Sequence, residues 1–360
     1  MENSSRNGFP NRILLTGGAG FIGSHVAEAL LARGVELSIV DNLDASYSQE
    51  SKRANLEEIR RAGNFTFHET DVCDFPRLRE AFSAAKPRAV IHFAEKCGVT
   101  SSFTDPLAFG YVNVTGTFHV LELCRDFGVE RFILGSSSSV YGANSPAPFQ
   151  EDFADMQPIS PYAVTKLEAE NMARDYARVH GFAVACLRFF SVYGPRMRPD
   201  SALFAFADAL ASDNPLRIFG DGSSARDFTW IGDAVPAVSA ALDYSFPSAR
   251  ASSNGNGNGG ADGAQLTVPF EIFNLGASSP VSLNRLVTSL EKTAGRPANR
   301  HHLSIPPGDV PLTFADNSKA RRLLGFCPAT PLEDGLEQFV AWHRYSAIHP
   351  QRILAKASAD

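Results

Sequence analysis

Tyr162 and Lys166 stand four residues apart in Ser-Pro-Tyr-Ala-Val-Thr-Lys, at the start of a helical pattern that runs on through Glu170 and Ala177. Four residues is about one helical turn, so phenol and ammonium leave the same helix face. A phenol titrates near ~10 and is a poor base at neutral pH, but an adjacent positive charge favours the phenolate. Such a tyrosine can take a proton from a hydroxyl while hydride leaves the same carbon. The pair alone recurs by chance in helices; its position in the chain adds the weight. Gly135-Ser136-Ser137-Ser138-Ser139-Val140-Tyr141-Gly142 gathers hydroxyls at the end of an apolar run, one helix ahead of Tyr162. Read as a strand end, this cluster lies at the carboxyl edge of a sheet, where open α/β sheets hold ligands. A strand-end hydroxyl, a tyrosine and a lysine complete a proton-transfer set.

The elements that must position this set begin at Ile13 to Gly23, Ile-Leu-Leu-Thr-Gly-Gly-Ala-Gly-Phe-Ile-Gly. An apolar strand stops at Thr16, glycines follow at 17, 18, 20 and 23, and a helix is expected from Phe21 to Leu31. Strand, tight turn and helix make a dinucleotide site, because glycine lets the backbone approach a pyrophosphate over the helix N-terminus. The spacing Gly-x-x-Gly-x-x-Gly is a weak signal on its own and also fits an ordinary glycine-rich turn. A second strand, Val35 to Asp41, ends on an acid where a carboxylate would accept hydrogen bonds from adenosine ribose hydroxyls and repel a 2′-phosphate, which favours NAD over NADP. Further strands are expected at Phe65 to His68, Ala89 to Phe93, Arg131 to Gly135 and Phe182 to Phe190, with helices between them. Asp71 and Val72, just past the third, lie where an adenine edge can be read. The alternation implies a parallel sheet covered on both faces.

The fold expected is therefore α/β, a Rossmann-type doubly wound parallel sheet with a smaller C-terminal α/β substrate-binding lobe. Its divisions are a disordered lead-in at 1–11, a cofactor domain at 12–190, the second lobe at 191–345 with a flexible Asn/Gly-rich loop at 248–263, and a tail at 346–360. With 33 basic against 39 acidic side chains, no polyanion-binding surface is expected, and nucleic acid is excluded as a partner. The five cysteines lack Cys-x-x-Cys spacing, so neither a disulfide framework nor a metal site is expected. They read as small buried residues in a reducing compartment. No apolar stretch of about eighteen residues occurs and residues 1–12 are polar, so a soluble, cytoplasmic protein without membrane contact is expected.

The glycine pattern, Asp41, Asn113 in Tyr-Val-Asn-Val-Thr-Gly-Thr, the serines before Val-Tyr-Gly, the Tyr-x-x-x-Lys and Arg-Phe-Phe-Ser-Val-Tyr-Gly-Pro together resemble the extended short-chain dehydrogenase/reductase family. Within it the likeness is to the NAD-dependent nucleotide-sugar epimerases and dehydratases, over about residues 12–345. The resemblance implies that Ser137 assists Tyr162 and Lys166 in catalysis. It also implies a cofactor set of Gly17, Gly20, Phe21, Ile22, Gly23, Asp41, Asn42, Asp71, Val72, Phe93, Ala94 and Asn113, joined by Tyr162 and Lys166. Similar dehydratases carry Asp-Glu where Ser138 and Ser139 stand, and uronate decarboxylases carry Glu at the second position. Neither acid is present, which leaves epimerisation through a 4-keto sugar as the reading.

Arg198-Pro199-Asp200-Ser201-Ala202 is similar to the Arg-Pro-Asp-Met-Ala of UDP-glucuronate 4-epimerases, whose arginine holds the sugar carboxylate, with Ser201 in place of Met. A guanidinium is a planar fork matched to a carboxylate, so Arg198 is the expected contact, with Ser138 and Ser191 beside the sugar. Arg226 is expected at the diphosphate and Asp309 at the nucleotide ribose. His92 reads as a satisfied core histidine. Glu95 and Lys96 depart from the small residue and Gln usual after His-Phe-Ala; Glu95 is expected to turn away from the pocket onto a neighbouring partner. The resemblance further implies a UDP-sugar substrate, most like UDP-glucuronate, and a homodimer formed through helices near Asp105 to Phe127 and Tyr162 to Val179. A neutral-sugar 4-epimerase, a UDP-glucuronate decarboxylase and a non-catalytic NAD-sensing protein are the rival readings.

Overall fold

The computed structural model describes residues 10–246 and 268–348. The expected loop at 248–263 lies outside them, as do residues 1–9 of the lead-in and 349–360 of the tail. Six parallel strands form first: β1 (Arg12–Thr16), β2 (Glu36–Asp41), β3 (Thr66–Glu69), β4 (Ala89–His92), β5 (Arg131–Ser137) and β6 (Ala183–Phe189); all but the half-exposed edge strand β3 are largely apolar and buried on both faces. Between them lie α1 (Phe21–Ala32), α2 (Gln49–Ala62), α3 (Phe75–Ala85), α4 (Val99–Thr104), α5 (Pro106–Phe109), α6 (Thr117–Asp126) and α7 (Pro161–His180). A π-helical stretch, Gly110–Gly116, leads into α6.

Beyond β6 the chain forms β7 (Ser191–Tyr193), α8 (Ala202–Ser212), β8 (Leu216–Phe219), β9 (Ala225–Trp230) and α9 (Ile231–Asp243). It continues with β10 (Phe270–Leu275), β11 (Pro280–Ser282), α10 (Leu283–Ala294), β12 (Arg300–Leu303), α11 (Ser318–Leu324) and α12 (Leu332–Ile348). The central sheet runs β10-β6-β5-β4-β1-β2-β3, all parallel. Its strand order reverses between β1 and β4, and that switch point opens a crevice at the carboxyl edge. The fold is thus the doubly wound α/β sheet that the sequence implied.

Alternate residues of each strand face opposite layers. Ile13, Leu15, Ile91, Ile133 and Leu187 pack under α1, α2, α9 and α11, while Leu14, Val90, Phe132, Leu134 and Val184 pack under α3, α6 and α7. The expected division at 190 does not follow the sheet. Strand β10 pairs with β6, and α9 and α11 share the core of α1, so three elements from beyond 190 complete the first layer. The physical reason is that β6 carries a fully buried Arg188 and apolar neighbours that cannot form a solvent edge. Of the remaining elements, α8, β8, α10 and α12, with Tyr193 of β7 and Val281 of β11, enclose a separate core around Phe206, Leu216, Leu286 and Phe339. That smaller lobe faces the carboxyl edge of the large sheet.

Candidate active site

One cleft of about 1750 Å³ lies between sheet edge and small lobe. A site for one small ligand is roughly 300–1,000 Å³, so this volume suits two ligands end to end. At one end the turn after β1 forms the floor. Gly17 has φ +72°, and a Cβ there would lie 2.6 Å from the Ala94 nitrogen. At Gly23 a Cβ would meet the Gly17 carbonyl at 2.1 Å, so helix and turn can touch only through glycine. Thr16 Oγ1 accepts from the amides of Phe93 and Ala94, both at 3.2 Å, which ties the loop after β4 to the same floor. Helix α1 opens on Gly20 with no side-chain cap and no acid in its first turn, leaving its N–H groups to a phosphate-bearing ligand.

Asp41 ends β2 and lines the cleft, 7 % exposed. It accepts from the Ala19 amide at 3.0 Å and the Leu43 amide at 2.9 Å, so it also braces the glycine turn. Burial raises its carboxyl, while Lys52 and those amides pull it down. Asn42 donates to Asp71 at 2.7 Å, and both line the cleft with Val72, Phe21, Ile22, Phe93 and Ala94. These residues fit an adenine dinucleotide: a bare helix terminus for the diphosphate and a buried carboxylate for the ribose. Asn113 differs from expectation. It is 2 % exposed and lies behind the cleft wall, where it accepts from the Lys96 amide at 2.7 Å and donates to the Lys96 carbonyl at 2.9 Å. It donates as well to Thr165 Oγ1 at 3.0 Å. The π-helical turn aims this amide at the loop after β4, so its role is to hold that loop.

At the centre, Ser160 caps α7 by accepting from the Ala163 amide, and Tyr162 follows in the first turn, 5 % exposed. Ser137 ends β5, accepts from the Ser139 amide at 3.2 Å and lies near enough to the phenol to make it more acidic. Lys166 donates to the Gly135 carbonyl at 2.5 Å and pairs with Glu95 Oε2 at 2.5 Å. The phenol donates to Glu95 Oε1 at 3.3 Å, and the Cys97 thiol donates to the phenol at 3.5 Å. Burial, Cys97 and Glu95 push the Tyr162 phenol above its usual value, and Ser137 works the other way. Glu95 is thus paired, as expected, but it lines the cleft instead of leaving it. Its carboxylate takes the ammonium that was expected to favour the phenolate.

Along the far wall, Ser138, Ser191, Arg198, Arg226 and Asp309 all line the cleft. Arg198 donates to Asp200 from Nε at 3.0 Å and from Nη2 at 3.2 Å, so one edge of its fork is taken within its own segment. Arg226 and Asp309 pair with each other. His92 is the satisfied core histidine expected, bonded to Thr16 at 2.7 Å and Thr117 at 3.1 Å. Of the cysteines, Cys124 and Cys186 are buried as expected, Cys97 enters the cleft and Cys327 is exposed, and all five are free. Sequence reasoning missed Tyr47 and Lys52. Lys52 shares the buried stripe of α2 with Asn55, Leu56 and Ile59, and a lysine on that stripe was the legible signal. Its ammonium lies 4.8 Å from the Tyr47 ring, and the Tyr47 hydroxyl is buried without a partner.

The profile of the NAD dependent epimerase/dehydratase family matches residues 13–250. The UDP-glucuronate 4-epimerase of Thermodesulfobacterium geofontis is 38% identical over 332 residues, 92% of this chain and 95% of that protein. The crystal structure of the Bacillus cereus UDP-glucuronic acid 4-epimerase, in complex with UDP-glucuronic acid and NAD, superposes with a TM-score of 0.82. It is 33% identical, covering 92% of this chain and 99% of that one. A UDP-glucose 4-epimerase of Thermotoga maritima with UDP-glucose superposes nearly as well, with TM-score 0.80 and 30% identity over 93% of this chain and 99% of that one. With its glycine turn, its Tyr162–Lys166 pair and these matches, the chain belongs to the NAD dependent epimerase/dehydratase family.

Proposed function

We propose that the protein is an NAD-dependent nucleotide-sugar 4-epimerase that interconverts UDP-glucuronate and UDP-galacturonate. The observation that carries this reading is one cleft with Ser137 and Tyr162 at its centre, Lys166 buried one helical turn on from Tyr162, a phosphate-binding helix end on one side, and Arg198 and Arg226 on the other. NAD bound over α1 supplies reversible hydride acceptance from sugar C4. Tyr162 takes the O4 proton and returns it, Ser137 steadies that oxygen, and Lys166 anchors the tyrosine side of the cleft. Arg198 holds the sugar carboxylate; because a 4-keto uronate loses carbon dioxide when that carboxylate aligns with the carbonyl, restraint there protects the carbon skeleton. Arg226 meets the diphosphate and Asp309 the uridine ribose once substrate parts their mutual pair. Glu95 brings a carboxylate into the site but spends it on Lys166, so it does not replace the acids that a dehydratase would carry at 138 and 139.

A neutral-sugar 4-epimerase is the second reading, favoured by the Asp200 carboxylate already seated on Arg198. Purified protein is incubated with UDP-glucuronate and with UDP-glucose, and products are resolved by chromatography. UDP-galacturonate without net NADH supports the proposal. UDP-xylose means a decarboxylase, turnover of UDP-glucose alone means the neutral-sugar enzyme, and no turnover of either sugar means a binding protein.

The division of labour follows the two lobes: 12–190, completed by β10, α9 and α11, forms the cofactor part, and the rest of 191–345 contributes the sugar-binding wall. The exposed apolar side chains Leu107, Tyr111, Phe118, Val164 and Val179, on α5, the π-helix, α6 and α7, support a homodimer formed through those helices. The free thiols support a reducing, cytoplasmic setting. Among the described residues no helix is long and apolar enough to cross a membrane.

A further inference from the structure

The loop after β4 lines the cleft with three side chains to which the proposed proton and hydride transfers give no part. Glu95, Lys96 and Cys97 follow one another, and Asn113 fixes the backbone of Lys96 from both sides. That clamp leaves the neighbouring side chains little freedom. Lys96 reaches along the cleft wall to Asp44 at 3.5 Å and Ser46 at 3.3 Å, on the loop after β2. Glu95 reaches inward. One of its oxygens is 2.5 Å from the Lys166 ammonium and the other accepts from Tyr162 at 3.3 Å, so one carboxylate spans both members of the Tyr-x-x-x-Lys pair. The Lys166 ammonium is held by Glu95 and the Gly135 carbonyl, and its side chain is buried.

We propose that Glu95 is a positioning residue that joins Tyr162 and Lys166 into a Tyr–Glu–Lys unit, compensating the lysine charge and holding the tyrosine in its protonated form. The inference rests on the epimerase reading of the same site. A carboxylate within hydrogen-bond distance of a phenol stabilises the neutral phenol, and a carboxylate on an ammonium removes the charge that would stabilise the phenolate. Both effects act in the same direction. They make the working base harder to form and move the alkaline rise of turnover to higher pH.

The groups facing this unit from each packed element are few. Cys97 contributes its thiol from the same loop, and Ser137 contributes a hydroxyl from the end of β5. Arg198, with Asp200 beside it, lies close enough to act on both Cys97 and Glu95. His92 lies behind Lys166, and its ring is held neutral by burial and by that ammonium, with a value lowered to about 3. None of these bridges both members of the pair as Glu95 does.

The test is Glu95→Gln, with Glu95→Ala as a second variant, read in two ways. NMR of isotope-labelled tyrosine follows the Tyr162 titration in the protein without substrate, and kcat against pH follows turnover of UDP-glucuronate with bound NAD. Loss of the carboxylate lowers both the Tyr162 midpoint and the rising limb of kcat by about one pH unit or more. A midpoint unchanged in both folded variants, or moved upward, overturns the proposal. The tyrosine titration needs no epimerase activity, so a protein that turns out not to epimerise UDP-glucuronate still decides whether Glu95 governs Tyr162.

Discussion

A phenol that faces a thiol and a carboxylate is a weaker acid than one that faces an ammonium alone, and Tyr162 bonds to the thiol and the carboxylate while Glu95 takes the ammonium. Its hydroxyl is nonetheless the group at the centre of the cleft suited to receive a proton from a sugar hydroxyl. Tyr162→Phe keeps the ring packed on Phe109 and deletes only that oxygen. Turnover is expected to fall about 10²–10⁴-fold with NAD binding retained, checked by product assay beside cofactor titration. On the proposed reading, Arg198 separates the two sugar classes. Arg198→Met keeps the aliphatic stem and removes the fork, so kcat/KM for UDP-glucuronate should fall by about tenfold to a hundredfold while any UDP-glucose turnover changes little. Equal losses on both sugars would place Arg198 elsewhere than at the carboxylate. Residue type and order picked out Tyr162 and Lys166 as candidates and the resemblance picked out Arg198; the fold brings Tyr162 and Arg198 to one cleft, and their roles rest on these assays. Glu95 was half legible: its departure from the usual residue could be seen, but its choice of partner depends on a loop anchored by Asn113, a tertiary fact.

At the scale of elements, α1 does more than present its N-terminus to the cofactor. Its His25 ring bonds to the Pro195 carbonyl at 3.0 Å, and its Glu28 pairs with Arg196 at 2.6 Å, so the segment that carries Arg198 is moored to the cofactor helix. Burial, and then the Arg196 guanidinium, lower His25 from 6.5 to about 4. A histidine with a depressed folded pKa leaves stability fully present above its unfolded value and lost as pH falls through the folded one. Acid should therefore loosen this mooring between about pH 6.5 and 4, costing about 3 kcal/mol at most. His25→Gln should flatten that part of the stability profile, read by urea unfolding across the window, whereas an unchanged slope would assign the acid loss to His92 and the carboxylates. The long elements were legible because burial periodicity runs over whole turns and strands. Strands β7, β11 and β12, at 3, 3 and 4 residues, were not, since pairing with distant partners creates them. The π-helical turn was also invisible, because nothing in Tyr-Val-Asn-Val-Thr specifies one wider turn without the neighbouring loop it serves.

For the whole molecule, the decisive feature is how β10 returns from beyond 190 to close the sheet beside β6. That closure buries Arg188, whose side chain is 0% exposed, and the chain surrounds it with compensation. Glu170 of α7 takes it in a fork at 2.9 and 2.7 Å and also accepts from Ser136 at 2.5 Å. The guanidinium lies 4.7 Å from the Tyr141 ring, and Tyr141 donates to Asn274 of β10 at 2.7 Å. One buried polar network thus joins β5, α7, β6 and β10, beside the strand end that carries Ser137. Sequence reading took Arg188 as part of a family motif and α7 as the bearer of Tyr162. It could not see that the pair holds the two lobes' shared sheet together, because residues 170, 188 and 274 are far apart in the chain. Glu170→Ala leaves a buried guanidinium uncompensated and should destabilise the protein by about 3–5 kcal/mol in chemical denaturation. Glu170→Leu with Arg188→Met removes both charges and should recover much of that loss, since a buried ion pair replaced by apolar side chains is often neutral. If the double substitution costs as much as the two single ones together, the pair is not coupled, and closure of the sheet rests on the apolar contacts of Phe273 and Leu275 instead.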